Sequence, residues 1–136
     1  MKIRSEDMVV VHADQAWEEP EPETLRFAGH FEMRVRDWVF NADSATLHGT
    51  LDNPRRVELR GSPARLDLSG PEPGDVIRAQ AQEIVYEREQ GSVQLLGNAE
   101  LEQGDNRLHS SRIDYDINSD RVRAAGVTGV QIRIRP

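Results

Sequence analysis

Asp114, Asp116, Asn118 and Asp120 place a side-chain oxygen at every second residue, the spacing with which a calcium-binding loop opens. Such a loop needs glycine at its sixth place and a bidentate glutamate at its twelfth; here those places hold Ser119 and Ala125. A strand running into an Asn-Ser turn explains the pattern better. The four histidines, His12, His30, His48 and His109, form no His-x-His, His-x-x-x-His or His-Glu-x-x-His arrangement, so no zinc or cupin-type ligand set is expected. His109 stands beside Ser110 and Ser111 with Asp105 upstream. Neighbours on a strand point to opposite faces, so these residues read as surface polar groups and not as a triad. The chain has no cysteine, which removes thiol nucleophiles, disulfides and Cys-containing zinc sites. No catalytic residue, metal or cofactor is expected, and the chain is read as a non-enzyme.

Charge narrows the partners. Sixteen arginines and Lys2 stand against 24 acidic side chains, for a net charge of −7. That balance opposes non-specific binding to a polyanion. With only seven aromatic residues there is also little material for stacking bases, so no nucleic acid is expected. The longest aliphatic run, Met8 to Val11, is far too short to span a bilayer, and the first residues lack the apolar core of a leader peptide.

Length, 136 residues, suits one domain with a modest core. Seven prolines and ten glycines punctuate the chain, and between them apolar residues recur at every second position. Examples are Phe31/Met33/Val35, Val57/Leu59, Leu66/Leu68, Val93/Leu95, Ala99/Leu101 and Ile113/Tyr115/Ile117. Their neighbours are largely Arg, Glu, Asp and Gln, which predicts antiparallel strands with one dry and one wet face. Turn chemistry separates the runs at 52–54, 69–75, 90–92, 103–106 and 118–120. The acidic, proline-broken stretch Glu18 to Glu23 reads as a further loop, and Ala79 to Glu89 as a strand in preference to a short helix.

Residues 12–50 align with 80–118 at a constant offset of 68 without a gap. Ala13, Gly29, Glu32 and Asp37 fall on Ala81, Gly97, Glu100 and Asp105. A shorter unit recurs four times: Leu25-Arg26-Phe27-Ala28-Gly29, Val57-Glu58-Leu59-Arg60-Gly61, Val93-Gln94-Leu95-Leu96-Gly97 and Val122-Arg123-Ala124-Ala125-Gly126. Glycine inside or between strands marks a bulge, a bend or a close approach. The expected product is a layered β-structure in which equivalent bends stack.

Those segments, with Asn41 to Ala45, Gly61-Ser62-Pro63-Ala64, Asn98 to Gly104 and Arg112 to Asp116, resemble the OstA-like domain of the LptA lipopolysaccharide transport family over roughly residues 12–135. Two departures are the missing leader and the acidic insert Glu18 to Glu23, where the family has a tight turn. Residues 1–11 stand apart as a strand or an extension, and 12–136 form the domain.

The resemblance implies an all-β, single-domain open jelly-roll of two packed, mostly antiparallel sheets, working in the periplasm. Phe27, Phe31, Met33, Val35, Phe40, Leu66, Leu68, Leu95, Leu101, Leu108 and Ile113 read from their period as core, and the resemblance makes them lipid lining as well. It further implies an incompletely packed interior that receives lipid A acyl chains. Arg34, Arg36, Arg121 and Arg123 are candidates for the lipid headgroup phosphates. The alternating arginines up to Arg133 and Arg135 otherwise guard an edge strand. Val127, Val130, Ile132 and Ile134 form the expected assembly edge, with LptC-like and LptD-like OstA domains and further copies of the chain as partners. The alternative is an LptC-like scaffolding domain with a filled core; a small jelly-roll enzyme is disfavoured.

Overall fold

The computed structural model describes residues 2–4, 8–35, 37–51, 53–69, 76–119, 121–125 and 131–133. Eleven strands follow in order: β1 (Lys2–Arg4), β2 (Met8–His12), β3 (Gln15–Glu18), β4 (Thr24–Val35), β5 (Trp38–Thr50), β6 (Asn53–Ser69), β7 (Val76–Glu87), β8 (Ser92–Gln103), β9 (Asn106–Asp116), β10 (Arg121–Ala125) and β11 (Gln131–Arg133). They form one unclosed sheet of order β1-β2-β4-β5-β6-β7-β8-β9-β10, with β3 also beside β4 and β11 also beside β9. Every pair is antiparallel. The chain is all-β as expected, and the segment from Ala79 lies in β7. The two packed layers are halves of one continuous sheet and not separate sheets, because the long strands bend without breaking.

The bend is visible in the side chains. Trp38 pairs in the sheet with Val35 and Leu68, and Tyr86 with Val57 and Val93. A straight β6 would hold Val57 and Leu68 about 36 Å apart, at roughly 3.3 Å per residue. Yet the Trp38 and Tyr86 rings are 5.4 Å apart and edge-on, and Phe40 reaches Tyr86 at 6.4 Å. The sheet therefore folds over, and its dry face meets itself.

Each fold is made by a bulge. Pairing slips between Ala28 and Phe31, Asn41 and Ser44, Arg60 and Ala64, Gln80 and Glu83, and Leu96 and Ala99. At most of these points the buried positions change phase, as in Ala42 to Ala45, Leu59 to Ala64 and Ala81 to Ile84, so one core is kept on both sides of the bend. The crease is lined by small residues: Ala42 pairs with Phe31, Ala64 with Ala81 and Ala99 with Ser110. Of these, Ala42 is the most exposed, at only 9%. A side chain larger than alanine would hold the layers apart where they must converge.

The 68-residue repeat is structural. Val9 pairs with Val35 as Ile77 pairs with Gln103, and Gln15 with Ala28 as Glu83 with Leu96. The bulge itself repeats: Gly29 and His30 have φ of 81° and 48°, Gly97 and Asn98 of 83° and 49°. A Cβ at Gly29 would collide with Asp14, and one at Gly97 with Gln82, again 68 residues apart. Two four-strand units result, β2/β3-β4-β5-β6 and β7-β8-β9-β10/β11. In the second, Val122 faces Tyr115 and Ile132 faces Leu108, as Val57 faces Leu47 and Leu66 faces Phe40 in the first.

The outer face carries charge. Arg56 Nη1 lies 2.9 Å from Glu87 and its Nη2 3.1 Å from Glu58; Arg107 reaches Glu100 at 3.0 Å. The acidic insert is tied to the sheet by backbone, with Glu19 N–H donating to the Thr24 carbonyl at 3.0 Å and Gly49 N–H to that of Glu23 at 2.8 Å.

Candidate functional site

Between the layers lies a gap whose walls come from both. Trp38, Leu66, Leu68, Ile77, Ala79 and Leu101 face Val93, Leu95, Tyr115 and Ile117 across it. Its volume is about 20 Å³, room for one water. The expected unfilled slot is thus closed in this state, because the large side chains from the two layers meet. Trp38, Leu68, Ile77 and Ile117 remain half-buried, so the gap lies toward solvent and not at the centre of the core. Beside the gap, Tyr86 meets Trp38 edge-on, and burial pushes its phenol above its ordinary pKa.

The sequence-derived lipid residues divide. Leu66, Leu68, Leu95 and Leu101 line the gap, and Phe40 stacks on Trp38 at 5.8 Å beside it. Phe27, Phe31, Met33 and Ile113 are at most 3% exposed and belong to the surrounding core, while Val35 and Leu108 are half-buried at its margin. Trp38, Ile77, Ala79, Val93, Tyr115 and Ile117 are the gap residues that the sequence reading did not single out as lining. Tyr115 and Ile117 do fall in phase with Ile113, and that phase was the available signal.

The headgroup arginines are not brought together. Arg34 is on β4, bound to Glu32 at 2.6 Å, whereas Arg121 and Arg123 are exposed on β10 at the far end of the strand order. Arg36 lies outside the described residues. So do Val127, Val130 and Ile134 of the expected assembly edge, while Ile132 on β11 is 64% exposed.

The other polar candidates have local partners. Asp116 Oδ1 accepts the N–H groups of Asn118 and Ser119 at 3.0 and 3.1 Å, an Asx turn that closes the calcium-like spacing on itself. Ser110 Oγ donates to the Ala125 carbonyl at 2.9 Å, on the face opposite exposed His109, whose Nε2 lies 2.9 Å from Asn98 Oδ1. His30 Nδ1 lies 2.9 Å from Asp14 Oδ2; that hydrogen bond and the carboxylate's charge raise the imidazole pKa above its usual value. Among the described residues no group of three His, Asp or Glu side chains is placed to hold a metal ion.

Edges are the second feature. β3 and β10 each have one side without a strand among the described residues. The exposed large apolar side chains are Trp17, Val122 and Ile132, at 43%, 39% and 64%, and they sit on β3, β10 and β11.

Comparison with known proteins decides the family. A family described as LptA/(LptD N-terminal domain) LPS transport protein matches residues 1–121. The chain belongs to this LptA/LptD N-terminal domain family. Its role therefore lies in lipopolysaccharide transport, and the family is a transport component. No curated protein matches the sequence. A similar solved structure is the crystal structure of LptH from Pseudomonas aeruginosa, described as the LptA-homologous periplasmic component of the conserved lipopolysaccharide transport device. At 24% identity it covers 96% of this chain and 97% of its own, with a TM-score of 0.86, so this LptA-family chain has the same fold. No helix among the described residues is long and apolar enough to cross a membrane.

Proposed function

We propose that the chain carries lipopolysaccharide in the periplasm, holding acyl chains between its two layers, and that copies or partner OstA-like domains join at its strand edges. The observation that carries this reading is the gap with ten apolar or aromatic walls drawn from both layers, in a chain of a lipopolysaccharide transport family. The layers must part for a chain to enter. Each methylene then buried contributes about 0.8 kcal/mol, so a few acyl chains repay the contacts that separate. No catalytic group is needed. Arg121 and Arg123 are free to meet phosphates at the rim, whereas Arg34 must first leave Glu32.

The closed gap favours a second reading, in which the core stays filled and the domain only bridges partners. Purified protein titrated with lipopolysaccharide against a lipid-sensitive fluorophore separates the two. Saturable displacement is expected, and its absence would leave the scaffold. Edge joining has its own measurement, light scattering over a concentration series. Mass should rise with concentration, and Ile132→Pro, which removes a backbone donor at the exposed edge, should reduce that rise several-fold. A strict monomer at every concentration would end self-joining.

A further inference from the structure

On the outer face arginines commonly find a carboxylate, as Arg56 finds Glu87 at 2.9 Å and Arg107 finds Glu100 at 3.0 Å. Arg65 on β6 and Arg78 on β7 have no ion pair or hydrogen bond among the described residues. Both are exposed, and their strand neighbours Leu66 and Ala79 are buried, so both stand on the outer face. We propose that they form an anion site, separate from the interlayer gap, for a phosphoryl group that carries a hydroxyl nearby, as a sugar phosphate does.

Strand register brings the two residues together. Arg65 faces Gln80 and Asp67 faces Arg78, which makes Arg65 and Arg78 diagonal neighbours. Diagonal residues on one face lie about 7–8 Å apart, within the span of two arginine side chains, and two planar forks can grip the oxygens of one tetrahedral anion. They bound a groove of about 270 Å³ whose other walls include Asp67, Gln80, Glu100 and Glu102. That volume is near the lower end of small-ligand sites, roughly 300 Å³.

Carboxylates are near, yet they are already engaged. Arg78 faces Glu102 and Gln80 faces Glu100. Glu102 is bound by Arg107 at 3.4 Å, and Glu100 by Arg107 at 3.0 Å and by Gln80 Nε2 at 3.1 Å. One arginine of β9 thus occupies both glutamates, and the positive charge on β6 and β7 is left over. Asp67 faces Arg78 without an ion pair. Its ionised carboxylate only accepts hydrogen bonds, so beside the guanidiniums it suits the hydroxyl of a ligand whose phosphate they hold.

The groove lies on the reverse of the gap. Leu66 and Leu101 line the gap from the inner face, while their neighbours Arg65 and Glu100 line the groove on the outer. Leu68 and Ile77, half-buried where the gap meets solvent, adjoin Asp67 and Arg78. Two sources of the phosphoryl group are within reach: the headgroup of a lipid that leaves the gap past Leu68 and Ile77, or a free sugar phosphate. Only the first rests on the acyl-chain reading above. With a net charge of −7 the chain as a whole repels both, so binding is local and sensitive to salt.

Calorimetric titration at low salt with glucose-6-phosphate, inorganic phosphate and glucose tests the site without any acyl chain. Saturable binding is expected for glucose-6-phosphate, weaker binding for inorganic phosphate and none for glucose. Arg65→Gln with Arg78→Gln should weaken glucose-6-phosphate binding by about tenfold or more. Arg60→Gln with Arg112→Gln removes the same charge from arginines that lie beside Glu83 and Asp114, and should leave binding nearly unchanged. Asp67→Ala should bring the two phosphates to equal affinity. No saturable binding of either phosphate, or equal losses in the two double variants, would overturn the site. Fluorophore displacement by lipopolysaccharide then separates the sources: a several-fold loss in Arg65→Gln with Arg78→Gln assigns the phosphate to the lipid headgroup, and an unchanged value assigns it to a free sugar phosphate. A wild-type chain that binds glucose-6-phosphate but not lipopolysaccharide would end the acyl-chain reading and leave this site standing.

Discussion

Phe31→Ala should lose about 3–5 kcal/mol of unfolding free energy, as large-to-small core substitutions of aromatic residues do. Phe31 is 1% exposed, its ring is 5.1 Å from that of Phe27, and it follows immediately on the Gly29-His30 bulge. The crease around it is bounded by backbone held in left-handed geometry, so it cannot collapse into the vacated volume. With a urea slope of roughly 2 kcal/mol per molar, the unfolding midpoint should fall by about 2 M. A loss below 1 kcal/mol would mean that the two layers do not depend on one another at the crease.

Leu68→Asp should lower lipopolysaccharide affinity by about ten- to a hundredfold with little change in fold. Leu68 lines the interlayer gap yet is only half-buried, between Trp38 and Ile77 on the neighbouring strands. Losing the contact of one leucine side chain with an acyl chain removes roughly 1.5–3 kcal/mol, and each 1.4 kcal/mol is tenfold in affinity. A carboxylate at the entry adds repulsion toward lipid phosphates. Leu68→Met, which keeps the volume apolar, should bind as the parent does. Fluorophore displacement reads both, and thermal melts verify folding. Unchanged binding by Leu68→Asp would place the acyl chains elsewhere.

Much of the architecture was legible because strand alternation is local. Leu66 and Leu68, or Val93 and Leu95, declare a dry face within a few residues, and Gly29 and Gly97 declare the bends because only a residue without Cβ fits beside Asp14 and Gln82. The candidate site was legible only in part. The Trp38–Tyr86 contact joins residues 48 positions apart on opposite layers, and nothing near either one announces it. The closure of the gap depends on how summed side-chain volumes meet, which alternation does not encode. Arg34 read as a free headgroup ligand because its own strand supplies the neutralising partner, Glu32, two residues away on the same face.

The duplication has a geometric consequence. The two four-strand units share equivalent registers and are joined by the β6–β7 pair, so one operation relates the first to the second. If each added copy repeats that junction, the same operation recurs at every step, so pitch and handedness of a filament are set inside the monomer. Such a heterologous contact closes into a ring only when the rotation divides a full turn with no rise; otherwise it grows as an open helix. Growth by association and growth by a longer chain then become the same move, and a tandem fusion of two copies should trace the identical helix with half as many free ends.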